Sequence, residues 1–235
     1  MYLRIGTYNI KHGGHLGKNC QAIANLIAAE QLDIIGIQEV DYEISRSNKL
    51  NIIKEIAEYA QYPYYQFYKA INYSDGEYGL GIISKYPIED IKITKLTHSK
   101  EQRILVETKI TINEKILSFF VTHLELGDYE SVRKFQFAMI KEEIKNHKSF
   151  VLVGDFNVID WNKENGFFEY SDYFGEYQIL NNKKHSFYTY HSDYNFQEIA
   201  PIDNIIVSKN FIVKKIYMIH NLYSDHNLLI CILSW

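Results

Sequence analysis

The sequence predicts a mixed α/β (α+β) chain in which two layers of β-sheet are covered by helices. Short β-branched and aromatic runs recur along the whole length and alternate with only a few stretches of helical periodicity. Several strands follow one another with no helix between them, which requires antiparallel pairing. Residues 104–112 and 116–122 are joined through Asn113-Glu114, which reads as a hairpin. A regular βαβ winding would instead put a helix after each strand.

Taken in order, the β-branched and aromatic runs are strands at 3–8, 33–38, 65–71, 80–84, 104–112, 116–122, 150–154, 204–208, 212–220 and 228–233. Helical periodicity is clearest at 19–30, 50–60 and 129–146. No internal repeat, low-complexity tract or Gly/Ser linker interrupts them. At 235 residues, with 46% hydrophobic and 23% charged side chains, the chain is expected to fold as one domain, 1–235.

Composition also limits function. Cys20 and Cys231 lie near opposite ends, and no Cys-x-x-Cys pair exists to hold zinc, so two buried thiols are expected. The net charge of -4 argues against a protein that coats nucleic acid by overall positive charge. It does not exclude a nuclease, because an acidic metal cluster contributes several of those charges and a bound cation reverses the sign where a phosphate docks. Met1-Tyr2-Leu3-Arg4-Ile5-Gly6 shows no basic segment leading into an apolar one, and nowhere do about 18 apolar residues run together. A soluble cytoplasmic protein with no membrane span is expected, and no obligate protein partner is inferred.

Polar residues fall at strand ends in a pattern. Asn9, Glu39, His123 and Asp155 each follow a strand, whereas Asp203 and the pair Asp225-His226 precede one. In antiparallel sheets the C-ends of some strands and the N-ends of others share an edge, so these residues can meet in one pocket. In Asp155-Phe156-Asn157 the strand period points both polar side chains one way and Phe156 the other, into a core. Asp203 is available to orient an imidazole at His226, as an acid does in hydrolytic triads.

Thr7-Tyr8-Asn9-Ile10, Gln38-Glu39-Val40, the run Tyr78-Gly79-Leu80-Gly81-Ile82-Ile83-Ser84-Lys85-Tyr86-Pro87-Ile88, Thr122-His123-Leu124, Gly154-Asp155-Phe156-Asn157, Ile202-Asp203-Asn204-Ile205-Ile206 and Ser224-Asp225-His226 resemble, in order, the motif series of the endonuclease/exonuclease/phosphatase superfamily. Arg46-Ser47 and the compact length are similar to its bacterial cytoplasmic-type branch. The resemblance implies a four-layer αββα sandwich, deoxyribonuclease I-like, with two mixed, mainly antiparallel sheets flanked by helices. It implies a hydrolase that uses Mg2+ or Mn2+ and cleaves phosphate esters by in-line attack of water.

The implied roles follow residue by residue. Glu39, Asn9 and Asp225 would hold the metal, suiting a hard cation that prefers oxygen. Asp155 would position or deprotonate the water, Asn157 and His123 would hydrogen-bond the phosphoryl oxygens, and His226, oriented by Asp203, would be either the base or a cationic clamp. Arg103 and Arg46 are either phosphate-binding or ordinary ion-paired arginines. Three departures stand out: Lys11 replaces an acid found in some nuclease members, which weakens a second-metal site; Leu80 replaces an Asn; Lys85 replaces an Arg.

The aromatic-rich stretch 161–197, with Phe167-Phe168, Tyr173-Phe174 and Phe187-Tyr188-Thr189-Tyr190, either stacks bases or holds lipid beside the site, or forms a satellite core under a long loop. His185 and His191 there lack metal-site spacing. The sequence contains no Gly-x-Ser-x-Gly elbow, Walker loop, Gly-x-Gly-x-x-Gly turn or His-Glu-x-x-His helix. The leading expectation is a phosphodiesterase or nuclease acting on nucleic acid or nucleotides. The alternatives are a phosphoesterase for a small metabolite, inositol phosphate or phospholipid head group, and a silent binding module.

Overall fold

The structure is a computed structural model and describes residues 1–126, 129–159, 177–181, 187–192 and 199–235. In chain order the elements are β1 (Tyr2–Asn9), α1 (Cys20–Ala29), β2 (Ile34–Tyr42), α2 (Ile52–Tyr59), β3 (Tyr64–Tyr73), β4 (Gly76–Ser84), β5 (Glu89–Lys95), β6 (Ile104–Ile112), β7 (Lys115–His123), α3 (Glu130–Ile144), β8 (Phe150–Asp155), β9 (Tyr177–Ile179), β10 (Tyr190–His191), β11 (Ile199–Ala200), β12 (Asp203–Ser208), β13 (Ile212–Ile219) and β14 (Leu228–Ser234). One six-stranded sheet runs β13-β14-β1-β2-β4-β3 and a second runs β5-β6-β7-β8-β12-β9. Each has one parallel pair, β1 with β2 and β7 with β8, and each pair is joined by a helix, as a parallel crossover demands.

Alternation along the strands builds the layers. Leu3, Ile5, Ile34 and Ile82 of the first sheet face Val106, Phe119, Val121, Val151, Val153 and Ile205 of the second in one central core. On the outer face of the first sheet, Ile35, Ile37, Ile83 and Ile230 pack against Ile23 and Ile27 of α1 and Ile53 and Ile56 of α2. Beyond the second sheet, Phe120, Leu152 and Ile206 pack against Phe137, Ile140 and Ile144 of α3. The result is the αββα sandwich. Gly36 lets the two sheets approach: a Cβ there would stand 2.4 Å from Val153 Cγ2.

The Asn113-Glu114 hairpin forms as expected. Ile112 opposes Lys115, and both turn residues are left-handed (φ 47° and 67°), as a two-residue loop between right-twisted strands requires. Phe156 also lies in the core beneath α3, stacked on Phe137 with ring centroids 6.1 Å apart. The sequence reading did not identify β5, β9, β10 or β11. β5 is a mostly exposed edge strand rich in charge (Glu89, Asp90, Lys92, Lys95), which hides its alternation but suits an edge that must not recruit other strands. The other three have two or three residues each, too few to show a period. Most of the stretch 161–197, including Phe167-Phe168, Tyr173-Phe174 and His185, lies outside the described residues. Among the described residues, no helix is long and apolar enough to cross a membrane.

Candidate active site

Strand direction gathers the polar residues. β7 and β8 run parallel with His123 beside Asp155, and β12 runs antiparallel to β8 with Asp203 opposite Asp155. In the first sheet β14 runs antiparallel to β1, so the turn carrying Asp225 and His226 meets the end of β1 that carries Asn9, and the Ser224 hydroxyl donates to the Asn9 carbonyl at 2.8 Å.

Glu39 departs from the expected strand C-terminus, because β2 continues to Tyr42. It sits in a bulge: the step from Ile37 to Val40 opposes only the step from Gly81 to Gly79, and Glu39 adopts φ 56°. Ile37 and Val40 both face the helix-side core, so the extra residue leaves Gln38 and Glu39 together between them, a common use of bulges beside functional sites.

Asn9 links the two sheets. Its side-chain Nδ2 donates to Glu39 Oε1 and to Asp155 Oδ2, each at 3.0 Å, while its Oδ1 accepts from the Lys11 backbone N–H at 3.1 Å, an acceptance that orients the amide. Next to it, Asp203 Oδ2 holds His226 Nδ1 at 2.7 Å, and His226 Nε2 lies 3.7 Å from Asp155 Oδ2. All three are buried.

Burial alone would lower the His226 pKa. The charge and hydrogen bond of Asp203, joined by the charges of Asp155 and Asp225, outweigh it and push the imidazole up to about 10, so it is an imidazolium at neutral pH. Burial, then the neighbouring Asp203 charge, raises the Asp155 carboxyl. His123, whose Nε2 is 3.5 Å from Asp155 Oδ2, goes the other way: burial, then the positive charges of Arg103 and His226, hold it well below the ordinary histidine range. One imidazole is therefore charged and the other neutral.

The remaining sequence-predicted residues divide. The Asn157 backbone N–H donates to Asp155 Oδ1, and its side-chain Nδ2 donates to the Leu124 carbonyl, both at 3.0 Å. Strand geometry stops at Asp155, and Asn157 is left-handed at φ 53°. Arg103 is buried, with Nη1 2.7 Å from Glu101 Oε1 and Nε without a hydrogen-bond partner, and it lines a narrow cleft with Tyr78 and His123. Asp225 is tied to Lys11 Nζ at 2.8 Å. Arg46 lies in an ion pair with buried Asp41, through Nε at 2.8 Å and Nη2 at 2.7 Å. Lys85 lies at the opposite end of the sheet, bonded to Asp33 and the Gln31 carbonyl, and Leu80 belongs to the central core.

Sequence reasoning gave no site role to His12, Asp41 or Glu101, and it named Thr189 and Tyr190 only within the aromatic-rich stretch 161–197. Thr189 Oγ1 accepts from the Asp203 N–H at 3.0 Å, and the Tyr190 ring meets His226 edge-on at 5.3 Å. His12 had one legible signal, the Gly13-Gly14 pair that follows it. Residues 11–14 are all left-handed, and a Cβ on Gly14 would stand 2.1 Å from the Tyr223 carbonyl oxygen.

The donors suit a divalent cation. Ligand atoms of Asp155, Asp203 and His226 lie within 4.8 Å of one another, and buried Asp203 Oδ1 has no hydrogen-bond partner. Asp155 and Asp203 offer carboxylate oxygens, the donors that hard divalent cations take.

A family model described as Endonuclease/Exonuclease/phosphatase family matches residues 6–226. Among solved structures, an endonuclease/exonuclease/phosphatase from Beutenbergia cavernae is 18% identical with a TM-score of 0.84, covering 99% of this chain and 71% of that one. D. rerio TDP2 complexed with a single strand DNA product is 17% identical with a TM-score of 0.81, covering 100% and 99%. A mannosyl-6-phosphatase from Bacteroides thetaiotaomicron is 20% identical with a TM-score of 0.74, covering 99% and 100%. No curated protein sequence matches.

Proposed function

The chain belongs to the endonuclease/exonuclease/phosphatase family, and from that premise we propose that it is a divalent-metal-dependent phosphodiesterase acting on nucleic acid or nucleotides. The observation that carries the reading is the group in which Asn9 binds both half-buried Glu39 and buried Asp155, with His226 held between Asp155 and Asp203.

Glu39 and Asn9, with Asp225, would hold Mg2+ or Mn2+. When bound, such an ion neutralises phosphate charge and polarises the phosphorus–oxygen bonds. Asp155, fixed by the Asn9 side chain and the Asn157 N–H, orients the water and accepts its proton; a carboxyl raised by burial is a better base at neutral pH than an ordinary one. His226 already carries its proton and acts as a cationic clamp on the phosphate. Neutral His123, Asn157 and Arg103 donate hydrogen bonds to phosphoryl oxygens as charge builds. The similarity to TDP2 in complex with single strand DNA supports a nucleic-acid substrate.

A second reading, a small phosphate ester, is favoured by the charge balance around the site. Lys11, Arg46 and Arg103 are matched to Asp225, Asp41 and Glu101, whereas a polynucleotide groove needs cations that outnumber acids. The similarity to a mannosyl-6-phosphatase points the same way.

The test is hydrolysis of single- and double-stranded DNA, RNA, bis(p-nitrophenyl) phosphate, p-nitrophenyl phosphate and sugar phosphates with Mg2+ or Mn2+, beside Glu39→Ala. Turnover abolished by EDTA and lowered at least ~100-fold in Glu39→Ala supports the site, and the substrate preference separates the two readings. Turnover that persists in both would exclude the metal mechanism.

A further inference from the structure

Arg46 is spent on a contact other than phosphate. Its guanidinium is bidentate to Asp41, which is fully buried, and lies 4.4 Å from the centroid of the Tyr73 ring and 5.7 Å from that of Tyr78. Its Nη2 also approaches His12 Nδ1 at 3.1 Å. The same Nδ1 lies 3.5 Å from Asp41 Oδ1, so the imidazole is seated against both members of the Arg46–Asp41 pair. The other ring nitrogen, Nε2, lies 3.4 Å from Glu39 Oε2. The other oxygen of Glu39 already accepts from Asn9. Each carboxylate oxygen thus has a nitrogen neighbour, Asn9 Nδ2 at one and His12 Nε2 at the other.

The backbone commits to this arrangement. Lys11 and His12 are non-glycine residues held left-handed (φ 41° and 60°), a conformation that survives only where surrounding contacts over-determine it. His12 packs against Tyr78 with centroids 5.7 Å apart, so the ring is held on one side by an aromatic and on the other by the Arg46–Asp41 pair.

We propose that Arg46 and His12 are positioning residues: Asp41 fixes Arg46, the Arg46–Asp41 pair seats the His12 ring, and His12 holds the Glu39 carboxylate towards the cation. The proposal rests on the reading of Glu39 as a metal ligand, and the experiment separates the two. Outer partners that orient a ligand typically contribute about 10- to 100-fold to metal affinity.

Mn2+ affinity is measured by electron paramagnetic resonance on wild type, Glu39→Ala and His12→Ala, the last leaving the Arg46–Asp41 pair in place so that folding is preserved. The expected result is loss of most binding in Glu39→Ala and about 10- to 100-fold weakening in His12→Ala. If Glu39→Ala binds as wild type does, the ligand assignment itself fails. If Glu39→Ala is weakened and His12→Ala is not, the positioning role is overturned while the ligand assignment stands. Arg46→Lys, which cannot keep the two-pronged contact with Asp41, should weaken Mn2+ binding in the same direction as His12→Ala. Arg46→Lys that binds Mn2+ as tightly as wild type would remove Arg46 from the role.

Discussion

Replacing Asp203 by Asn tests the electrostatics at the centre of the site. The carboxylate and the imidazole are both buried, and Oδ2 and Nδ1 are 2.7 Å apart. With charge centres roughly 4 Å apart and an effective permittivity near 20, their attraction is about 4 kcal/mol, or about three pKa units at roughly 1.4 kcal/mol each. The amide of the variant keeps the shape and removes the charge, so His226 should fall from about 10 to near neutrality and lose its permanent positive charge.

Because the folded pKa lies above the unfolded one, the pair contributes stability that is complete below about 6.5 and is lost as pH rises through about 10. The Tm gap between wild type and Asp203→Asn should therefore be widest near pH 6 and close towards pH 10. The assay is a nitrogen-15 titration of His226 in EDTA-treated protein together with thermal melts across that range. A wild-type His226 that titrates near its ordinary value of 6.5, or a variant whose titration does not move, would refute the reasoning.

Two further outcomes follow from packing and turn geometry. Phe156→Ala removes a fully buried ring stacked on Phe137 and should cost about 3–5 kcal/mol, read in urea denaturation; because Asp155 and Asn157 flank it, activity should fall in the same variant. Glu114→Gly should stabilise the protein by up to about 1 kcal/mol, seen as a higher Tm, since glycine occupies the left-handed position at φ 67° without the penalty glutamate bears there.

Much of this architecture is local chemistry and could be read directly from the chain. The β6–β7 hairpin, the three helices and the burial of Phe156 depend on period and turn residues over a few positions, and the strand-end positions of Asn9, His123, Asp155 and Asp203 follow from the same pattern. The αββα arrangement and the convergence of the site came from the ordered motifs rather than from any one of them.

What the tertiary structure decided is where long-range pairing and buried charge matter. The bulge that places Glu39 exists only in register against β4, and nothing in Gln38-Glu39-Val40 announces an extra residue. Lys85 reads as part of a motif, yet the direction of β4 carries it to the far end, against Asp33. Arg46 reads equally as a phosphate ligand or a surface cation, and its actual partners come from the strand before it, from the turn after β1 and from the β3–β4 hairpin. Local sequence determines which backbone conformations each segment prefers, because those preferences are settled by sterics within a few residues. Which charges are buried together depends on contacts between segments far apart in the chain, and it is these contacts that set the protonation of His226 and seat His12 between Arg46 and Glu39.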